Sequence, residues 1–393
     1  MPEALLVAAV SGNVLVLGVF KYVYPGLLLA PDGVSAPFAV PQLLAPIGLV
    51  VVVCHAVSYV VDVYRGEVDT YRSPMETTVY LLFFPVLLAG PILRHRDVRG
   101  QFVNRKVGMA AFSYGVRRFV VGLGKTLLIA QTLAEPADLV FAMPADQLGL
   151  AHAWLGITCF SLQIYFDFSG YADMAIGLGR MLGFRLPENF KWPYAADSVH
   201  DFWRRWNISL IGWIGTYPGL RLDGERQAGR LRTFGRIVTL FLLVGAWHGP
   251  GWNVIRWGLF QGAIVALERA GFATHVNRLP GWLRHAYLLL MVVAGWVLFR
   301  TDTASSAAQF GRALVGLGPD PGSMSPVPLT PTVSVALVVG AVGAAPLMSW
   351  LSRWVVTVDA MATSILMLVG TAALFTWRSG VRAIAAVARL FRQ

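Results

Sequence analysis

His248 invites a chemical reading. It is the only titratable side chain between Arg236 and Arg256, in a run that reads Gly245-Ala246-Trp247-His248-Gly249-Pro250-Gly251-Trp252. An ionisable group inside a membrane span is costly and marks a functional site by default. An unperturbed imidazole titrates near pH ~6.5, which suits it to take up and return a proton. The bland alternative is a neutral ring hydrogen-bonded to a neighbouring helix. The flanking glycines and Pro250 favour the functional reading, because non-helical backbone at membrane depth is tolerated only where protein buries it or it lines a cavity.

A second polar region runs Tyr165-Phe166-Asp167-Phe168-Ser169-Gly170-Tyr171-Ala172-Asp173 and continues to Asp201-Phe202-Trp203-Arg204-Arg205-Trp206-Asn207-Ile208-Ser209. On a helical projection Asn207 shares a face with Trp203, Trp206 and Leu210, while Arg204 and Arg205 point elsewhere. A carboxamide on an aromatic stripe needs hydrogen-bond partners; it satisfies a neighbouring helix or holds a substrate carbonyl or hydroxyl. Asp167 and Asp173 do not share a helical face, so they are expected to serve in capping and buried hydrogen bonding around Ser169-Gly170 and not as an acid/base pair. No metal site is expected, since the possible ligands are not clustered. Gly124-Lys125-Thr126 lacks the earlier glycine of a phosphate-binding loop, and no Gly-x-Ser-x-Gly elbow is present.

These residues need elements to hold them, and composition says where those elements sit. Of 393 residues 56% are hydrophobic and 13% charged, with mean hydropathy +0.60; soluble domains carry roughly 25% charged residues. Such a chain cannot cover a soluble surface or stay disordered, and reads as a single polytopic membrane domain over residues 1–393. The net charge of +11 does not indicate nucleic acid, because the basic residues lie in short loops between apolar runs. Cys54 and Cys159 sit in apolar runs and form no disulfide framework. Met1-Pro2-Glu3 lacks the basic start of a cleavable signal.

Uncharged stretches at 4–20, 33–61, 77–93, 147–166, 237–255, 321–352 and 360–377, with nearly apolar ones at 107–134, 257–272 and 285–299, predict about nine to eleven membrane helices. The three prolines of 33–61 (Pro37, Pro41, Pro46) place the start of its span near Pro46. Segments 94–106 and 180–205 are basic and 135–146 is acidic, so the two basic ones face the cytoplasm. Arg378, Arg382, Arg389 and Arg392 share one face of a helix expected to lie in the headgroup plane over residues 378–393.

The ordered motifs resemble the membrane-bound O-acyltransferase (MBOAT) family, in particular its bacterial alginate O-acetyltransferase branch. The resemblance covers residues 45–310. It rests on Pro46-Ile47-Gly48, Ser58-Tyr59-Val60-Val61-Asp62-Val63-Tyr64-Arg65-Gly66, Phe84-Pro85 and Ala89-Gly90-Pro91-Ile92. It continues through Tyr165–Tyr171, Glu188-Asn189-Phe190, Phe202–Trp206, Trp247-His248-Gly249, Trp257-Gly258 and Trp296-Val297-Leu298-Phe299-Arg300. The resemblance implies an all-α ring of tilted helices, with re-entrant and interfacial helices, around a central tunnel in the bacterial inner membrane. The histidine matching His248 is thought to deprotonate the acceptor hydroxyl, and a polar residue matching Asn207 completes the site. That branch usually has histidine where this chain has Asn207 and a second histidine where it has Gln261, and its stretch corresponding to Ile211–Glu225 reads differently. The chain is also expected to lack some of the branch's initial helices.

The implied activity is O-acyl transfer of a short group from acyl-CoA, with acetyl-CoA the expected donor. The acceptor would be a hydroxyl of a cell-envelope polysaccharide or of a periplasmic partner protein. His248 and Asn207 would be catalytic. Trp203, Trp206, Trp247, Tyr165, Asp167 and Ser169 would contact substrate, and Arg204 and Arg205 could meet coenzyme A phosphates or anchor the interface. Two other readings stand beside this: a transporter or flippase with a polar midplane site, although no inverted repeat is visible, and a catalytically silent envelope scaffold, suggested by Asn207 and Gln261.

Overall fold

The computed structural model describes residues 3–23, 46, 48–70, 73–223, 229–318 and 329–346. The expected span at 360–377 and interfacial helix at 378–393 lie outside these residues. The described residues form helices and loops with no strand. Helix α1 (Glu3–Gly18) continues into a π-helical turn, Val19–Val23, and α2 covers Leu49–Tyr64. The latter begins just after Pro46, where the prolines placed its start. Next come α3 (Pro74–Leu81), α4 (His95–Asn104) and α5 (Met109–Gly124). A π-helical turn, Lys125–Ala130, joins α5 to α6 (Gln131–Phe141). Helix α7 (Leu150–Met181) precedes the short α8 (Val199–Arg205) and α9 (Ile208–Thr216). Helices α10 (Arg230–His248) and α11 (Trp252–Leu267) are followed by α12 (Ala273–Val276), α13 (Gly281–Arg300), α14 (Ala304–Leu314) and α15 (Pro331–Ala344).

Several expected boundaries move, each for a visible reason. The stretch 77–93 is not one span: α3 has 8 residues, about 12 Å of helix, after which Pro85 enters a single 3-10 turn. The stretch 147–166 does not end at Asp167; α7 runs 32 residues through Asp173, whose carboxylate is paired with Arg118 (2.6 Å) and Lys125 (2.6 Å). Pairing removes the cost that made the charge look like a boundary. The stretch 237–255 is two helices with a break at Gly249–Gly251. Among the described residues two helices, Glu3–Tyr22 and Gly281–Arg300, are long and apolar enough on their own to cross a membrane. Others are shorter, like α2 and α15, or interrupted by charge and π-helical turns, so the described helices do not divide into nine to eleven uninterrupted apolar spans.

Two helix pairs pack backbone to backbone. Helix α5 meets α7 where a Cβ on Gly122 would stand 2.5 Å from the Gly170 carbonyl. Helix α10 meets α11 where a Cβ on Gly245 would stand 2.5 Å from the Val254 carbonyl and one on Gly258 2.6 Å from the Phe241 carbonyl. Small residues let helices approach this closely where apolar burial alone gives little direction. The α10–α11 pair carries His248 at one end and Trp257 on the facing helix.

Candidate active site

His248 is the last residue of α10 and not the middle of a span. Gly249, at φ 147°, turns the chain out of the helix, a conformation open to glycine and strained for other residues. The imidazole is half-buried and meets two rings edge-on: Phe299 at 5.1 Å and Trp257 at 5.9 Å between centroids. Neither of its nitrogens hydrogen-bonds to a described residue. The end of α10 is held from α1's π-helical turn, where Lys21 Nζ donates to the Trp247 carbonyl and Tyr22 OH to the Ala246 carbonyl. A cation there satisfies carbonyls that a helix C-terminus leaves open. Lys21 also lies 5.8 Å over the Trp247 ring. The sequence reading missed this clamp, whose signal is a lysine closing an otherwise uncharged stretch.

From His248 a continuous set of aromatic rings leads to the second polar region. Trp257 lies 5.5 Å from Trp203. Phe299 lies 6.0 Å from Trp296, which lies 5.1 Å from Trp206. Tyr165 joins through Trp206 (6.2 Å) and Tyr194 (5.6 Å). Trp203, Trp206 and Tyr165 are thus linked to His248 through one set of rings, and Trp247, next to His248 in sequence, packs partly buried against the same core.

Asn207 is not on a helix with Trp203, as the projection assumed. Helix α8 ends at Arg205, Trp206 is extended, and Asn207 takes φ 46°, ψ 52° before α9 starts. Asparagine, aspartate and histidine are the non-glycine residues most tolerant of that left-handed region, so the backbone itself narrows what can stand here. The bend is fixed from outside by Asn189, whose carbonyl accepts from Ile208 N (3.0 Å) and whose Oδ1 accepts from Ser209 N (3.0 Å). The Asn207 carboxamide is half-buried and hydrogen-bonds to no described residue.

Two further residues hold α8. Glu268, buried in the π-helical turn after α11, accepts from Val199 N (3.1 Å), His200 N (2.8 Å) and Tyr287 OH (3.0 Å). Gln261 accepts from Trp203 Nε1 (3.1 Å) and donates to the Met291 carbonyl (3.3 Å). Glu268 was missed; its signal is an acid inside a nearly apolar run. The remaining candidates separate. Arg205 is spent on Asp201 (2.7 Å), whereas Arg204 is exposed. Asp167 and Ser169 do no capping, because α7 passes straight through them. Asp167 is half-buried, and Ser169 Oγ is buried without a partner among the described residues.

Residues 50–299 match the sequence profile of MBOAT, the membrane-bound O-acyltransferase family. The chain belongs to this family. A probable alginate O-acetylase AlgI of Pseudomonas putida is 40% identical over 319 residues, covering 80% of this chain and 65% of the relative. A peptidoglycan O-acetyltransferase of Helicobacter pylori is 31% identical over 344 residues, covering 79% and 64%. A teichoic acid D-alanyltransferase of Bacillus subtilis is 25% identical over 228 residues, covering 54% and 55%. The chain spans less than two thirds of the length of each of these MBOAT relatives.

Proposed function

We propose that this protein is an O-acyltransferase of the bacterial inner membrane. It moves an acetyl group from acetyl-CoA to a hydroxyl of a cell-envelope polysaccharide, directly or through a periplasmic partner protein. The names of the relatives, acting on alginate, peptidoglycan and teichoic acid, support an envelope acceptor. The observation that carries the reading is the imidazole of His248, fixed at a helix end against Trp257 and Phe299 with its nitrogens uncommitted among the described residues.

In this mechanism His248 accepts the proton of the acceptor hydroxyl as its oxygen forms a bond to the thioester carbonyl carbon. The carbon–sulfur bond then breaks, and the proton passes from His248 to the departing thiolate. The Asn207 carboxamide orients the hydroxyl or polarises the carbonyl, and the left-handed bend holds it still. Trp203, Trp206, Trp247 and Tyr165 exclude water, which strengthens each polar contact inside. Arg204, exposed and without an ion-pair partner among the described residues, meets the coenzyme A phosphates. Asp167 and Ser169 follow Tyr165 on α7, towards its C-terminal end, where they would contact substrate. The spans assemble as a multi-pass domain around a tunnel that admits donor and acceptor from opposite sides.

The test is acetyl transfer from radiolabelled acetyl-CoA to alginate oligosaccharides and muropeptides by the purified full chain in nanodiscs. His248→Ala should abolish transfer while the protein melts as the wild type does. Full transfer by His248→Ala overturns the assignment.

A further inference from the structure

Among the described residues nothing receives the indole N–H of Trp257. The residue is 1% exposed, and its Nε1 is buried without a partner among the described residues. Three other indoles of the molecule are provided for. Trp203 Nε1 donates to Gln261 Oε1 (3.1 Å), Trp213 Nε1 to Ser58 Oγ (2.9 Å) and Trp296 Nε1 to Tyr194 OH (3.1 Å). A buried N–H left unmet forfeits the hydrogen bond it had with water, and native proteins keep few of them.

Loose packing does not explain the exception. Trp257 precedes Gly258, one of the residues at which α10 and α11 touch backbone to backbone. Its ring is walled by His248 (5.9 Å), Phe299 (5.6 Å), Trp203 (5.5 Å) and Phe241 (6.4 Å). The phenylalanines offer no acceptor, the Trp203 N–H is already committed, and His248 makes no hydrogen bond to the indole. Among the described residues the fold therefore places this indole beside the imidazole and supplies no acceptor for its N–H. In transfer from a thioester, the atom that gains negative charge is the acyl carbonyl oxygen, and fixed donors in a water-poor site stabilise it most.

We propose that the Trp257 indole N–H donates to the carbonyl oxygen of the acyl donor and to the oxyanion it becomes beside His248. This rests on the acyltransferase reading above. The indole keeps its proton throughout, so the proton balance of the transfer is unchanged.

The test replaces Trp257 with benzothienylalanine, which keeps the ring shape and has sulfur in place of N–H, and in parallel makes Trp257→Phe. The full chain in nanodiscs is loaded with acetyl-CoA carrying carbon-13 at the thioester carbonyl, and the carbonyl stretch is read by isotope-edited infrared spectroscopy. The wild type should show a band shifted to lower frequency, and both replacements should return it upward. The kcat for acetyl transfer should fall about 10²–10³-fold, far more than any rise in KM for acetyl-CoA, because the bond strengthens as the oxyanion forms. An unshifted band and an unchanged kcat in the isostere overturn the proposal, since a packing role or a buried water would leave both in place. If His248→Ala abolishes transfer while the isostere does not, only the Trp257 assignment falls. If His248→Ala transfers normally, the acyltransferase reading falls with it.

Discussion

Two histidines sit in apolar surroundings, and their partners differ completely. His55, fully buried in α2, has Nδ1 at 3.3 Å from the Leu81 carbonyl and Nε2 at 3.3 Å from the Leu93 amide. A carbonyl only accepts and an amide only donates, so these bonds fix a neutral tautomer with the proton on Nδ1. Tyr80 stacks on the ring at 5.0 Å and donates to the Leu93 carbonyl. Nearby, Asp62 accepts from Arg96 N (3.1 Å) and Tyr217 OH (3.0 Å). This cluster ties α2 to the loop after α3 and to the end of α9. His248 has no such obligations among the described residues. Between these two histidines, the one whose nitrogens are spent on the backbone is structural, and the one whose nitrogens are not is available for chemistry. Residue type alone does not separate the two.

The comparison can be broken most sharply at His248. His248→Gln, measured for acetyl transfer in nanodiscs, should lose about 10²–10⁴-fold in rate with an unchanged melting temperature. Asn207→Gly, which keeps the left-handed bend and removes the carboxamide, should lower kcat about 10²-fold without loss of stability. A branched residue such as Asn207→Val should instead impair folding, read by the yield of monodisperse protein. The opposite pattern is expected across the molecule. His55→Ala leaves the Leu93 amide buried and unmet, and should cost about 1–3 kcal/mol of stability. Its kcat per folded molecule should be unchanged, checked by thermal melting alongside transfer assays. The smallest effect should come from the arginine pair. Arg204→Ala should raise KM for acetyl-CoA by about fivefold, the equivalent of ~1 kcal/mol, while Arg205→Ala, whose partner is Asp201, should leave it nearly unchanged.

Much of this was legible in the residues. His248 stood out because a lone ionisable group in an apolar run is rare, and Pro46 announced the start of α2 because proline restricts what precedes and follows it. What escaped depends on distant partners. Nothing between Phe202 and Trp213 contains proline, and the first glycine comes at Gly212, so the local pattern reads as one helix. The break at Asn207 is set by Asn189 from another loop. Asp167 and Asp173 looked alike in sequence, yet only Asp173 faces Arg118 and Lys125 on the neighbouring helix. Likewise the Trp257 indole reads as ordinary core in sequence, because its lack of an acceptor among the described residues depends on how four distant rings surround it.

The most direct measurement is a cryo-electron microscopy structure of the full chain in nanodiscs with a hydrolysis-resistant acetyl-CoA analogue. The acetyl carbon should be bordered by His248, Trp257 and the Asn207 carboxamide, leaving room for an acceptor oxygen about 3–3.5 Å away. Acetyl density in another part of the molecule, or His248 packed against lipid with no passage leading to it, would contradict the account.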